Sequence, residues 1–353
     1  MAAALDASSA AAIRAEAIRE ARARRRAPPE DLSIAAAKRT LAGPASPATW
    51  RPRRLAERLD IDVGARRVTL RLDGAARAFV DASARVDGSK GLAACPTEPA
   101  VVAGLVDGWP GVAGDWSLAG LAARVGGATP LEVDGGPWEA RASLSSARVS
   151  AAAYAEYARD GGGGDDAPLY VFDAAERAAL AGLGPPPPCL ADDALPRLLG
   201  CADEAKRPLP RGWLLAGAAR SGTPVHDHPL TCAYVVLLSG CKLWAVLPPG
   251  TDRSSLFPTS GGDYDLSAAD WFLRWDRGPP PGARIFVQQP REVVFVPAGW
   301  WHVVLNASDN VALSRSLALE RDFAFLDAGP ATALERDRAE ALRAARNGGD
   351  NCV

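Results

Sequence analysis

The three histidines of the chain are the residues whose types and spacing could do chemistry. His226 and His228 lie two residues apart in SGTPVHDHP, and His302 follows in VPAGWWHVVLN. In an extended strand, residues i and i+2 project from the same face, so one strand can present two imidazoles to one point. A second strand facing the first would bring the third imidazole and leave coordination positions open, as a redox-active iron requires. Zinc or copper would suit the same residue types, and three unrelated structural histidines are the alternative to a metal site.

Short strand-like segments surround these histidines and must position them. Between residues 211 and 319, Gly and Pro turns separate segments rich in Val, Leu and aromatic residues: GWLLAGA, CAYVVLL, KLWAVLPP, ARIFVQQPREVVFVP and NVALSRSLAL. Many short strands at close spacing indicate an antiparallel sandwich or barrel. The region with the histidines is therefore predicted to be mainly β.

The 353 residues correspond to about two domains, or to one large domain with appendages. Residues 1–47 are rich in Ala and Arg and are predicted to form a helical or partly disordered arm. Residues 48–94 are predicted to be an extension with short strands such as RRVTLRL. Residues 95–320 form the patterned domain, and residues 321–353 are predicted to be a terminal helix and tail.

Composition argues against several classes of protein. The chain has 40 Lys and Arg against 42 Asp and Glu, so it lacks the basic excess of an electrostatic nucleic-acid binder. No apolar run is long enough to span a membrane, and no secretory signal pattern is present. Its six cysteines form no C-x-x-C pair, which indicates free thiols in a reducing compartment. We therefore expect a nuclear or cytoplasmic protein; RARRR at 22–26 is either a nuclear signal or a solvated basic helix end.

Two long stretches, SGTPVHDHPLTCAYVVLLSGCKLWAVLPP and PREVVFVPAGWWHVVLN, resemble the JmjC-domain oxygenases, which use iron(II) and 2-oxoglutarate. Within that family the chain is most similar to the jumonji-domain arginine demethylase/lysyl hydroxylase group. Upstream, PAVVAGLVDGWPGVAGDWSLAGL, YAEYARD and PLYVFD follow the order of the family, so the resemblance covers residues 95–320. It implies a cupin-like jelly roll, a double-stranded β-helix with flanking helices and iron in its open mouth.

The resemblance also implies residues that bind the cosubstrate. Lys242, in GCKLW, matches the lysine that pairs with the far carboxylate of 2-oxoglutarate through a charge-assisted hydrogen bond. Thr223 and Ser314 match hydroxyl positions that contact the same carboxylate, and Tyr154 lies near a tyrosine of that pocket. The alternatives are a surface lysine and ordinary strand hydroxyls.

The metal ligands follow the family's pattern at two positions and depart from it at the third. His226 matches the first ligand and His302 the last, but His228 stands where the family has a carboxylate. Either the three histidines are the ligands, or a local bulge turns Asp227 inward. Period-two alternation favours the three histidines. Three neutral imidazoles leave the ion with one more positive charge than two imidazoles and a carboxylate, which would shift its redox potential.

The function implied by the resemblance is oxidative decarboxylation of 2-oxoglutarate coupled to hydroxylation of a lysine, or demethylation of a methylated arginine, in a protein substrate. Two alternatives stay open at this point. The chain could be a metal-binding cupin fold that acts as a binding or scaffold protein without turnover. It could also be a three-histidine dioxygenase that acts on a small molecule. Release of succinate with loss of 2-oxoglutarate distinguishes the first function from the others.

Overall fold

A computed structural model describes residues 31–42, 60–64, 67–72, 75–81, 83–92, 94–134, 147–160, 162, 164–165, 168–174, 184, 187–191, 193–194, 212–228, 231–257, 267–273, 279–319 and 321. Most of the predicted N-terminal arm and, beyond residue 321, the predicted C-terminal helix and tail lie outside the described residues.

The described residues form five α-helices and sixteen β-strands. The helices are α1 (Ile34–Ala42), α2 (Leu118–Val125), α3 (Ala151–Arg159), α4 (Arg253–Leu256) and α5 (Ala268–Leu273). The strands are β1 (Asp60–Gly64), β2 (Arg67–Leu72), β3 (Ala75–Val80), β4 (Arg85–Asp87), β5 (Ala100–Ala103), β6 (Pro130–Asp134), β7 (Ala147–Ser150), β8 (Tyr170–Asp173), β9 (Gly212–Gly217), β10 (Gly222–His226), β11 (Cys232–Ser239), β12 (Lys242–Leu247), β13 (Arg284–Gln288), β14 (Val293–Val296), β15 (Trp301–Asn306) and β16 (Asn310–Leu317). None of the described helices is both long and apolar enough to cross a membrane.

The strands are arranged in two facing sheets and one separate meander. The larger sheet has nine strands in the order β4-β5-β14-β11-β16-β9-β8-β6-β7, and the smaller sheet has the order β10-β15-β12-β13. All pairs are antiparallel except β4 with β5. Strands β1, β2 and β3 form a third sheet of their own. This arrangement confirms the predicted jelly roll with flanking helices.

Alternating side chains fill the space between the two large sheets. The interior cluster contains residues of both sheets: Val101, Tyr170, Leu215, Val235, Leu237, Trp244, Val246, Phe286, Val294, Val296, Val304 and Ala312. The opposite face of the larger sheet packs against α1, α2 and α3, and that of the smaller sheet packs against α4, α5 and β2. Because the central strands are buried on both faces, their sequences read as continuous apolar runs.

Serine caps set the start of the two longer flanking helices of the domain. The hydroxyl of Ser117 accepts a hydrogen bond from the backbone N–H of Gly120 at the start of α2. The hydroxyl of Ser150 accepts one from the N–H of Ala153 at the start of α3. Each cap satisfies a backbone donor that would otherwise lack a partner in the first helical turn.

Arg85 joins the edges of the two large sheets. Its Nε donates to Glu292 Oε1 at 2.9 Å, its Nη2 donates to the carbonyl of Val287 at 2.6 Å, and its Nη1 pairs with Asp81. Only 9% of the Arg85 side chain is exposed, and Asp81 is fully buried. Burial alone would lower the pKa of Arg85, but hydrogen bonds and charge interactions with Glu292 and Asp81 outweigh it and raise that pKa.

Replacing Arg85 with methionine is expected to lower the free energy of unfolding by about 3–5 kcal/mol, because the buried Asp81 and the partly buried Glu292 would lose their cation. Urea denaturation followed by tryptophan fluorescence measures this loss. The matched control is Arg39→Ala, which removes an exposed ion pair with Asp31 and is expected to leave the free energy of unfolding nearly unchanged. Equal losses in the two variants would contradict a structural role for Arg85.

Candidate metal centre and anion pocket

The structure brings the three histidines together at one end of the roll. His226 ends β10 and lies opposite His302 of the neighbouring strand β15. His228 follows two residues later, and its Nε2 lies 3.2 Å from Nε2 of His226. One ring nitrogen from each histidine lies within 4.8 Å of the others, a spacing that one metal ion can bridge.

Backbone carbonyls orient two of the rings. Nδ1 of His226 lies 2.8 Å from the carbonyl oxygen of Pro224, and Nδ1 of His302 lies 3.1 Å from that of Trp300. When Nδ1–H donates to a carbonyl, Nε2 is left with the lone pair that a metal needs. Burial and the neighbouring ring of His226 lower the pKa of His228 to about 3, and the pKa of His302 falls well below its usual value. These two rings are therefore neutral at physiological pH, as metal ligands must be.

His228, and not Asp227, is the neighbour of His226 that joins this group. The register of β10 is irregular, but the irregularity lies between Thr223 and His226, before the first histidine. After it, the backbone N–H of Gly299 donates to the carbonyl of His228 at 2.9 Å and holds that residue against the turn before β15. Among the described residues, the group of possible ligands consists of the three histidines.

Lys242 lies deeper in the roll, at the start of β12, and is 1% exposed. Its Nζ donates to Asn306 Oδ1 at 2.7 Å and to the hydroxyl of Tyr170 at 3.2 Å. Within the described part of the chain no carboxylate pairs with it, and burial lowers its pKa to about 7. The positive charge of a buried ammonium is poorly compensated when its partners are all neutral, so the pocket favours an anionic ligand.

Two predicted hydroxyl residues also face the interior. Thr223 lies opposite Val304 and is hydrogen-bonded to the Tyr170 hydroxyl. Ser314 is buried on β16, where it lies opposite Val235. The structure therefore places Thr223 beside the Lys242 pocket and Ser314 on the facing sheet.

The structure does not bring Tyr154 to this pocket, contrary to the placement inferred from the sequence. Tyr154 lies on α3 against the outer face of the larger sheet, where its hydroxyl donates to the carbonyls of Leu169 and Ala216. Tyr170 is the tyrosine that faces Lys242. Leu169 and Val171 face the outer cluster, so alternation turns Tyr170 inward, but the segment PLYVFD does not by itself show which of its faces lies inside the roll.

Asn306 is a second residue that the sequence analysis missed. It shares a face of β15 with His302, and its Nδ2 donates to Ser221 Oγ at 2.8 Å while its Oδ1 accepts from Lys242. Gly217 closes over it: a Cβ there would lie 2.2 Å from Asn306 Nδ2 and 2.8 Å from a ring carbon of Tyr170. Asn306 and Tyr170 can therefore occupy these positions only because residue 217 has no side chain.

Gly217→Ala is expected to weaken 2-oxoglutarate binding about tenfold, because Asn306 and Tyr170 must move and release Lys242. Thermal shift across a 2-oxoglutarate titration measures the change. Gly64→Ala is the matched control, since a Cβ at Gly64 meets no atom within 4 Å. Unchanged affinity in the Gly217 variant would show that these contacts do not position Lys242.

The residues present fit a divalent transition metal and a dicarboxylate. Three imidazoles provide three ligands and would leave other coordination positions open, which suits a metal that must bind further ligands. The buried ammonium of Lys242 suits a carboxylate, with Thr223 and Tyr170 beside it as neutral hydrogen-bonding groups.

Comparison with known proteins agrees with this geometry. The family described as "JmjC domain, hydroxylase" matches residues 282–316. The bifunctional arginine demethylase and lysyl-hydroxylase psr-1 of Caenorhabditis elegans is 33% identical over 238 residues, 63% of this chain and 56% of the relative. The arginine-specific demethylase JMJ22 of Arabidopsis thaliana is 28% identical over 236 residues, 63% of this chain and 42% of the relative.

A shorter match covers the human 2-oxoglutarate and iron-dependent oxygenase JMJD4, which is 30% identical over 111 residues, 30% of this chain and 26% of the relative. The matches thus cover between 26% and 56% of the length of these relatives. The matched family segment contains His302, Asn306 and Ser314. These matches confirm the resemblance to the JmjC-domain oxygenases, and in particular to their arginine demethylase/lysyl hydroxylase group.

Proposed function

We propose that this chain is an iron(II)- and 2-oxoglutarate-dependent oxygenase that hydroxylates a lysine, or demethylates a methylated arginine, in a polypeptide. The observation that carries the proposal is the pairing of two features in one interior. A group of three imidazoles lies at one end of the roll, and a buried ammonium with only neutral partners lies deeper inside. The activities for which psr-1 and JMJ22 are named, arginine demethylation and, for psr-1, lysyl hydroxylation, support the choice of lysine and arginine.

The chain's own residues bind, orient and exclude water. His226, His228 and His302 would hold the metal through nitrogens whose orientation is fixed, for two of the rings, by backbone carbonyls. Lys242 would hold the far carboxylate of 2-oxoglutarate, and a bound anion would keep its ammonium protonated. When bound, metal and cosubstrate together supply the oxidising chemistry that a protein side chain lacks.

Aromatic side chains keep this interior dry. Trp244 stacks on His302 with ring centroids 6.1 Å apart, and Phe286 stacks on the other side of Trp244 at the same distance. Trp244 Nε1–H donates to Gln288 Oε1 at 3.0 Å, so the indole is held in place. A dry site strengthens the attraction between Lys242 and a carboxylate.

The third imidazole favours one alternative function, a three-histidine dioxygenase that acts on a small molecule without 2-oxoglutarate. Against this alternative stands Lys242, because a reaction without an anionic cosubstrate gives no reason to bury an ammonium without a carboxylate. The two functions differ in whether 2-oxoglutarate is consumed.

The test is turnover by the full chain loaded with iron(II) in the presence of 2-oxoglutarate and oxygen, with lysine-containing and methylarginine-containing peptides. Succinate formation followed by NMR should accompany the addition of one oxygen atom, or the loss of one methyl group, in the peptide mass spectrum. His302→Ala is the inactive control. Metal-loaded protein that forms no succinate with any peptide would contradict the proposal.

A further inference from the structure

A cavity of about 660 Å³ lies where the edges of the two large sheets part. Its walls come from three places: Ile285 and Phe286 on β13, Val101 on β5 with Ala84 before β4, and Phe79 on β3. This volume lies within the range of about 300–1,000 Å³ typical of ligand sites. The cavity is separate from the pocket around Lys242, and the function proposed above assigns it no role.

Stacked rings connect this cavity to the metal-binding end of the roll. Phe286 lines the cavity and stacks on Trp244, and Trp244 stacks on His302, each with ring centroids 6.1 Å apart. At its rim, the guanidinium of Arg284 lies 5.4 Å from the ring centre of Trp300, whose carbonyl orients His302. A polypeptide that presents one side chain to the metal can therefore reach the cavity with a residue a few positions away.

The cavity favours an uncharged side chain. Arg284 is the one charged residue among its described lining residues, and Glu98 neutralises it at 2.8 Å. Phe79, Val101, Ile285 and Phe286 provide apolar walls. The burial of an apolar side chain between them is favourable because it removes hydrocarbon from water.

The edge of β13 offers main-chain hydrogen bonds beside the cavity. Strand β13 is the last strand of the smaller sheet, so its outer side pairs with no other described strand. At Val287 that outer side is already used: its N–H donates to Asp81 Oδ2 at 3.3 Å and its carbonyl accepts from Arg85. Residues two apart on a strand direct their N–H and C=O groups to the same side. The groups of Ile285 therefore also face outward, where Ile285 lines the cavity.

We propose that this cavity is a specificity site for the polypeptide substrate. An extended segment pairs with the edge of β13 at Ile285 and inserts an apolar side chain beside Phe79 and Phe286. The distance to be spanned is that of the two ring contacts from His302 through Trp244 to Phe286, each 6.1 Å between centroids. Because an extended chain advances roughly 3.3 Å per residue, the inserted side chain lies about three or four residues from the one that reacts. This inference rests on the proposed function only in taking the substrate to be a polypeptide.

The experiment uses the full chain loaded with manganese(II) and 2-oxoglutarate, and a peptide library with a central lysine or arginine in which each flanking position is randomised in turn. We expect about tenfold enrichment of Leu, Ile, Met or Phe over Asp at one position within four residues of the centre. Ala84→Trp, which fills the cavity, should reduce this enrichment to less than about twofold. Ala78→Trp fills the cavity from β3 and provides the same test if the first variant does not fold.

Ala128→Trp is the matched control, because residue 128 is exposed and lies outside the cavity, and it should keep the enrichment. N-methylation of the best peptide should weaken binding at alternate positions around the inserted residue, because a paired strand uses every second N–H. A library with no enriched apolar position, or an enrichment that survives both filling variants, overturns the inference.

The same samples separate this inference from the proposed function. Thermal stabilisation by 2-oxoglutarate reports on the Lys242 pocket, which is separate from the cavity between the sheet edges. If stabilisation occurs without apolar enrichment, the specificity site is wrong and the proposed function stands. If apolar enrichment occurs without stabilisation by 2-oxoglutarate, the cavity binds peptide and the proposed function fails.

Discussion

Replacing His228 with alanine is expected to weaken binding of a divalent metal by about 100-fold or more. Loss of a group that only supports a ligand typically costs 10–100-fold, and loss of the ligand itself should cost at least as much. The Nε2 atom of His228 lies 3.2 Å from that of His226, within the group that His302 completes. Competition with a chromophoric chelator under anaerobic conditions measures the affinity for iron(II), and for zinc as a redox-inert probe.

The decisive comparison for this prediction is with Asp227→Asn. Asp227 is 5% exposed and precedes His228, so the two variants alter neighbouring residues of one segment. Asparagine preserves the shape of the side chain, and affinity within about threefold of the unmodified protein is expected if the three imidazoles are the ligands. A greater loss in Asp227→Asn than in His228→Ala would show that the carboxylate coordinates the metal and that the segment rearranges around it.

How much of this site the sequence could predict depends on how local each signal is. The pairing of His226 with His228 follows from the two-residue period of an extended chain, which a short stretch of sequence reveals. The jelly roll follows from many short apolar strands and from the resemblance, because buried strands have a characteristic composition. The contribution of His302 required a further inference, that its strand faces the strand of His226. That inference was wrong in its geometry, because β15 is the neighbour of β10 in the same sheet.

The parts that could not be predicted depend on packing between distant segments. Tyr154 and Tyr170 both lie in the segments that follow the family's order, and only the partition of side chains between two faces of the larger sheet distinguishes them. In the sequence, Asn306 is an ordinary polar residue at the end of a strand. Its role becomes apparent only from the structure, where Gly217 packs against its side-chain amide. The cavity between the sheet edges is bounded by β3, β5 and β13, and no local sequence pattern predicts that these three strands lie close together.

Lys242→Met is expected to weaken 2-oxoglutarate binding by about 100-fold, while a metal alone binds as before. Methionine retains most of the length of lysine but not the charge, so the variant removes the charge-assisted hydrogen bond and leaves the surrounding packing nearly unchanged. Isothermal titration calorimetry with metal-loaded protein measures the loss. Retention of 2-oxoglutarate affinity in this variant would contradict the assignment of Lys242, whatever the metal ligands are.

The pH dependence of stability provides an independent check on the same residue. Burial lowers the pKa of Lys242 to about 7 in the folded chain, against an ordinary value of 10.5. Between these values the unfolded chain binds more protons than the folded one, so this residue makes stability rise as pH increases from about 7 to about 10.5. Lys242→Met should lose that rise and be more stable than the unmodified protein near pH 7, as urea denaturation at several pH values measures.

A dicarboxylate that binds Lys242 must raise the pKa of that lysine, so binding near pH 8.5 should take up a proton, detected as a dependence of the binding enthalpy on the buffer. If 2-oxoglutarate bound at that pH without proton uptake, its carboxylate would not lie against Lys242.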